Sequence, residues 1–435
     1  MEITKETTRS LRRMAGLIAA RLPELGLDQV SDPRGRRGRR WQLLPLLKTT
    51  LVAQLAGARS TAEAEALSAR LSPAMRRQLG VSRRVPDTTL RDTLCRLAPD
   101  DLRAVLHRSV QAADRRKALV PQGLPFGVVA MDGKSVTLPG WGADYVQRHV
   151  PERGEPFGML RTITSALVSA RSAPCLDTFA VPGTTSECGV FAAAFAELVR
   201  VHGRRFQLIS YDAGGASGDN AATVVAAGKD YVFALKNDQP LKLRTARSKL
   251  ENQQVVARTE DVLSNQRSVV RTLRLVPVPR SLMDAATKKP LFWPSSQSIV
   301  EVTSETLVAG AVTIRETRCF LSSLAVEALT PAQWLLVVRR HWGVENDCHK
   351  TFDVAFGEDD HPWIEMAPQG TLVVLLLRRL AYNLLSLFRS VTQRSDERRA
   401  MPWAELMRWV MWTLWTVTAP QLAGLRVRQV AAAFA

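Results

Sequence analysis

Apolar residues recur at helical spacing through the first 120 positions. Leu11, Met14, Ala15, Ile18 and Leu22 share one face, which predicts a helix over residues 10–22 capped by Ser10 and ended by Pro23 and Gly26. Residues 41–55 carry the same period and predict a core helix. Residues 61–71 predict a shorter one with Thr61 as its cap. Residues 83–92 predict a turn into a capped helix with a basic start, the outline either of an ordinary helix or of a helix-turn-helix. From Phe126 the period changes. Apolar runs at 128–131, 161–170, 176–181, 206–211 and 230–235 read as strands, and residues 187–202 (capped by Ser186) and 218–228 read as helices. Strands interrupted by helices in this way predict an α/β fold, a mixed sheet with helices on its faces.

Between about 243 and 330 this alternation stops. Residues 254–259, 268–276, 298–302 and 312–320 alternate apolar with polar, punctuated by Pro277, Pro279, Pro290 and Pro294, and predict a β-rich subdomain inserted in the α/β domain. Thr330-Pro331 caps a helix over 332–350. The tail from Met401 is helical, with Trp409, Trp412 and Trp415 at spacings of three, a core stripe or a subunit contact. The pattern divides the chain into a helical basic region (1–120), an α/β domain (121–390) and a helical tail (391–435).

Charge sharpens this picture. Lys and Arg number 59 against 41 Asp and Glu, a net charge of +18. That excess favours a polyanionic partner, nucleic acid first. Residues 33–40 concentrate it in Arg34, Arg36, Arg37, Arg39 and Arg40, spaced by glycines. Such a stretch either lies along DNA, releasing counterions, or is a solvated linker. Five scattered cysteines without a CxxC pair argue for reduced thiols and against structural zinc. No glycine-rich phosphate loop of the GxxxxGK kind is present, so no nucleotide is expected. No apolar run approaches the ~20 residues of a membrane span; residues 371–377 stop at Arg378 and Arg379. No membrane partner is expected, and the cytoplasm is the expected compartment, at the nucleoid when the protein is on DNA.

Three carboxylates stand out. Asp132 follows the apolar run 128–131 and precedes Gly133, the pattern of a strand ending at a sheet rim or of a hairpin turn. Asp212 repeats the design after 206–211 and is followed by small residues. If the two strands are neighbours, both carboxylates meet at one rim, and their repulsion calls for a divalent cation. Glu345 lies one helical turn from both His341 and His349, so one face could present all three. Glu358, Asp359 and Asp353 compete with it for the third place. Arg339, Arg340, Lys134 and Lys236 are candidates for phosphate contacts.

With these sites in view the chain resembles the H-repeat-associated family of bacterial insertion-sequence transposases, in the DDE superfamily. The resemblance rests on Met131-Asp132-Gly133-Lys134, Tyr211-Asp212-Ala213-Gly214, Lys236 with Gln239-Pro240, and His341-Trp342-Gly343-Val344-Glu345-Asn346. Residues 55–60 and 377–385 add to it, so that it spans about 41–389. It implies a ribonuclease-H-like domain whose catalytic and metal-binding triad is Asp132, Asp212 and Glu345. Two Mg²⁺ ions (Mn²⁺ as a substitute) would cleave and join double-stranded DNA in a homodimer that bridges two element ends. The alternatives are a nuclease of the same fold that never joins, or an inactive DNA-binding descendant. The family's asparagine is replaced by Asp238 and its tryptophan after His349 by Lys350; neither change touches the triad.

Overall fold

Ten strands build one continuous mixed sheet in a computed structural model. It describes residues 5–423 apart from Ala213, Lys236, Ser264, Asn265, Arg280, Ser281 and 285–287, with backbone only for 5–11, Arg37 and Gly38. The strands are β1 (Val128–Leu138), β2 (Val146–His149), β3 (Phe157–Ala166), β4 (Cys175–Ala180), β5 (Leu208–Tyr211), β6 (Asp230–Leu235), β7 (Ala257–Val262), β8 (Arg267–Pro277), β9 (Ser298–Val308) and β10 (Ala311–Ser322). Their order is β2-β3-β1-β5-β6-β10-β9-β8-β7, with β4 also beside β3. β1, β5 and β6 are parallel, while β3 runs antiparallel to both β1 and β4. The segment β4-β3-β1-β5-β6 is therefore the ribonuclease-H-like sheet that the resemblance implies.

The helices are α1 (Lys5–Glu24), α2 (Leu43–Leu55), α3 (Thr61–Ala69), α4 (Pro73–Leu79), α5 (Asp87–Leu94), α6 (Pro99–Arg115), α7 (Glu187–His202), α8 (Gly218–Ala226), α9 (Pro240–Leu250), α10 (Pro331–His341), α11 (Lys350–Val354), α12 (Pro368–Leu387), α13 (Asp396–Arg399) and α14 (Trp403–Thr416). Alternation along the strands sends side chains to two cores. Val129, Met131, Ile209 and Tyr211 pack beneath α7 and α8. Val128, Ala130 and Leu208 join the larger core built from α2, α6 and α12.

Several expectations are corrected by the geometry. Pro23 lies inside α1, which runs to Glu24. Ser60, not Thr61, caps α3, its side chain accepting from the Glu63 N–H at 3.1 Å. Residues 80–86 between α4 and α5 form a connection longer than the three or four residues of a helix-turn-helix turn. The region from 243 to 330 forms no separate layer: residues 240–250 are helical, and β10 pairs with β6 so that β7–β10 extend the main sheet. The free end of β10, residues 311–318, is exposed.

α2, α5 and α6 close over α12, Trp403 of α14 stacks on Tyr382 of α12, and α1 rests on α14. Residues 1–120, α12 and α14 thus share one core. In α14, Trp409 and Trp415 pack against that core while Trp412 is 42% exposed. Pro368–Thr392 is long and apolar enough to cross a membrane, but 94% of its most apolar window is buried inside the protein. The arginines that interrupt it in sequence are core residues. Arg378 and Arg379 are fully buried, and Arg379 grips both oxygens of the equally buried Glu358.

Candidate active site

β1 and β5 are in parallel register from Val128↔Leu208 to Met131↔Tyr211. Asp132 and Asp212 each follow that last shared rung, so both leave the sheet on the same side. Here β1 differs from the expected strand-end aspartate: it continues to Leu138, paired with β3 throughout, and Asp132 stands opposite Thr164. The carboxylate is therefore held in mid-strand, and its exposure comes from the ending of β5 beside it. The hairpin-turn alternative falls with the same observation.

The expected helix over 332–350 is broken. α10 starts from a Thr330–Gln333 capping box and ends at His341; Val344–His349 then forms a π-helical turn before α11. With the turn widened, His349 lies outside the cavity that His341 and Glu345 both line. His341 and His349 are buried, and Glu345 is exposed. His341 Nδ1 lies 3.1 Å from Ser210 Oγ on β5. His349 Nδ1 lies 3.2 Å from Asp132 Oδ2. Glu345 lines a cavity of about 650 Å³ together with Asp212, Asp238, His341 and Trp342.

A fourth carboxylate, absent from the sequence reading, completes the arrangement. Glu187 is the first residue of α7, after the Ser186 cap. Its carboxylate presses on the backbone beside Asp132: a Cβ at Gly133 would lie 2.1 Å from Glu187 Oε1. Gly133 is thus the residue that leaves Glu187 room. Burial pushes the Glu187 carboxyl above its ordinary value, and the negative charges of Asp132 and Asp212 push it further, against Arg161 and His349. Burial, Glu187, Asp132, Cys188 and Asp212 also push up the buried Tyr211 hydroxyl, which has no hydrogen-bond partner among the described residues. Oxygen anions that repel one another are the donor chemistry of a hard divalent cation. The ligand shell is not closed, since among the described residues no group of three or more His, Cys, Asp or Glu could hold an ion as placed.

The remaining candidates separate clearly. Glu358 is fully buried on Arg379, not solvent-facing, and is removed as a rival third ligand. Asp353 and Asp359 accept from Lys134 Nζ at 2.6 and 2.9 Å. Lys134, expected to meet phosphate, is therefore 9% exposed and already paired. Arg34 is also turned inward, 4% exposed, with Nε 2.8 Å from Asp32 and Nη2 2.8 Å from the Trp41 carbonyl. Arg39 closes the same knot on the Arg34 and Asp32 carbonyls. Arg36 and Arg40 remain exposed. The side chain of Arg37 and all of Lys236 lie outside the described residues. Arg339 is half-exposed and pairs with Asp261 at 2.9 Å; Arg340 donates to the Ser169 carbonyl at 3.0 Å.

Comparison with known proteins agrees with this reading of the class. Residues 26–109 match the family described as DDE_Tnp_1-associated. Two proteins of Escherichia coli (strain K12), YbfL and the "H repeat-associated putative transposase YhhI", are each 26% identical to this chain over 221 residues. Those matches span 48% of this chain and 56% of each relative, so the chain spans about half the length of the curated relatives it matches. Together these findings support a DDE-type transposase family. A piggyBac transposase synaptic complex with hairpin DNA aligns over 97% of this chain and 81% of that one, at a TM-score of 0.42 and 10% identity. That likeness is too low to carry an argument.

Proposed function

We propose that this protein is a DDE transposase that binds the ends of an insertion sequence and catalyses metal-dependent DNA cleavage and strand transfer. The observation that carries the reading is the pair Asp132 and Asp212, one residue beyond the last parallel rung, with Glu345 lining the same cavity as Asp212. Asp132, Asp212 and Glu345 would hold Mg²⁺, with Mn²⁺ as a substitute. Two such ions, when bound, would supply activation of a water or 3′-hydroxyl and stabilisation of the leaving oxygen. His349 orients the Asp132 carboxylate through its Nδ1 contact, and Ser210 holds His341 beneath the cavity. The basic surface, including Arg36 and Arg40, draws double-stranded DNA in. A homodimer bridging two ends in the cytoplasm, at the nucleoid, goes with this reading.

The test uses the full chain and labelled duplexes taken from the DNA that flanks its gene. Mg²⁺-dependent nicking followed by joining of the freed 3′ end is expected. Asp132→Asn and Asp212→Asn should bind these duplexes and neither cut nor join them. Cutting that persists in both variants removes the assignment. Cutting without joining, even of pre-cleaved ends, replaces it with a nuclease.

A further inference from the structure

We propose that an open groove lined by Arg171, Arg271, Arg318, Arg339 and Arg340 binds the sugar-phosphate backbone of a DNA strand and leads it to Glu345. The inference rests on the reading above for the identity of its ligand. The groove encloses about 850 Å³. Its arginines come from the β3–β4 connection, from β8 and β10, and from α10, so elements distant in sequence build one surface.

Its lining sets these five arginines against three carboxylates, Glu316, Glu345 and Asp347. Asp261 alone answers two guanidiniums, Arg271 at 2.5 Å and Arg339 at 2.9 Å. Arg340 has the neutral Ser169 carbonyl, and burial and the charge of Arg339 disfavour its ionised form. Arg318 reaches Glu316 at 3.3 Å and stacks over the Trp342 ring at 4.7 Å. Arg171 is exposed. Guanidiniums arrayed in this way match phosphate oxygens in geometry and charge.

The groove also has a direction. Arg318, Trp342 and Glu345 line both this groove and the cavity that contains Asp212. A strand lying on the arginines therefore passes Glu345, which also lines the cavity that holds Asp212. Contacts of this kind position the backbone and carry no sequence information. β8, β9 and β10 form one bank of the groove through Arg271, Val302, Ser304 and Arg318.

The test is binding of a short labelled duplex by the full chain in EDTA, titrated with salt, so that no chemistry intervenes. Arg171→Ala/Arg318→Ala should weaken binding at least about tenfold and flatten the log K against log salt slope by about two, near 0.9 per lost phosphate contact. Arg171→Glu, on an exposed side chain, should weaken binding in the same direction even if the double variant folds poorly. Wild-type affinity and slope in both variants would overturn the groove. If the variants bind weakly and the wild-type chain never cuts with Mg²⁺, the groove stands and the transposase reading falls. If the chain cuts and the variants bind normally, the reverse holds.

Discussion

Glu358 and Asp177 are almost wholly buried, and each is answered by guanidinium. Both oxygens of Glu358 meet Arg379, whose guanidinium also lies 3.9 Å from the centre of the Phe352 ring. Asp177 on β4 receives Arg103 through two nitrogens and faces His107 Nε2 at 3.0 Å. Asp132, Asp212 and Glu187 are less buried, and the charges that reach Glu187 most strongly after desolvation are those of Asp132 and, beyond Arg161, Asp212. Enclosure already separates the two groups of acids. The surrounding charge differs as well: guanidinium answers both core acids, whereas Glu187 has the like charges of Asp132 and Asp212 set against Arg161 and His349.

Breaking the second group should cost chemistry and leave the fold intact. Asp132→Asn is expected to lower cleavage by at least about a thousandfold, about 4 kcal/mol of barrier. Its urea midpoint should equal or exceed that of the wild type, because one member of a repelling set is gone. A large fall in stability would place Asp132 with the structural acids and dissolve the contrast.

Breaking the first group should do the opposite. Arg379→Met strands a fully buried Glu358, and loss of one partner from such a pair costs about 3–5 kcal/mol. Urea unfolding reads this directly; a loss below about 1 kcal/mol, the scale of exposed pairs, would mean that Glu358 takes a proton or finds other partners.

A pH titration separates the groups more finely. Burial raises the Asp177 carboxyl, but the Arg103 and His107 hydrogen bonds outweigh it and bring the group down to about 2. Its folded value lies below its ordinary 3.8. The stabilisation is thus present above pH ~4 and lost as pH falls toward ~2, about 2 kcal/mol in all. Asp177→Asn should flatten that part of the stability curve, and an unchanged slope would reassign it to other carboxylates.

How much of this was legible in the sequence depends on how local each cause is. α7 from Glu187 to His202 and its Ser186 cap match the expectation, as does β6, because caps and periodicity act within a few residues. The pairing of β10 with β6 joins residues 319–322 to 232–235, and no local pattern marks it. Arg34 and Lys134 read as surface charges since their partners, Trp41, Thr93, Asp353 and Asp359, include residues up to 225 positions away. Gly343 hints at a break in the helix after α10, but nothing in the spacing specifies a π turn. Glu187 was hidden by a good local explanation, since an acid in the first turn of a helix suits the helix dipole. The available signal was Asp132-Gly133: a glycine within a strand marks a close approach by something else, and that something is the Glu187 carboxylate.

Glu187 yields the smallest expected effect and the closest test of the contrast. Its folded value is raised above the ordinary 4.5, so the native state holds its proton more tightly than the unfolded chain does. Stability must then fall as pH rises from ~4.5 through the raised folded value, the reverse of the Asp177 case. Glu187→Gln removes the charge and keeps the shape. With EDTA present it should raise stability at neutral pH by no more than about 1 kcal/mol, the scale of a partly solvated charge pair, and abolish that downward slope. If Glu187→Gln instead destabilised the protein at neutral pH, the carboxylate would be gaining more from Arg161 and His349 than it loses to Asp132 and Asp212, and Glu187 would belong with Glu358 and Asp177.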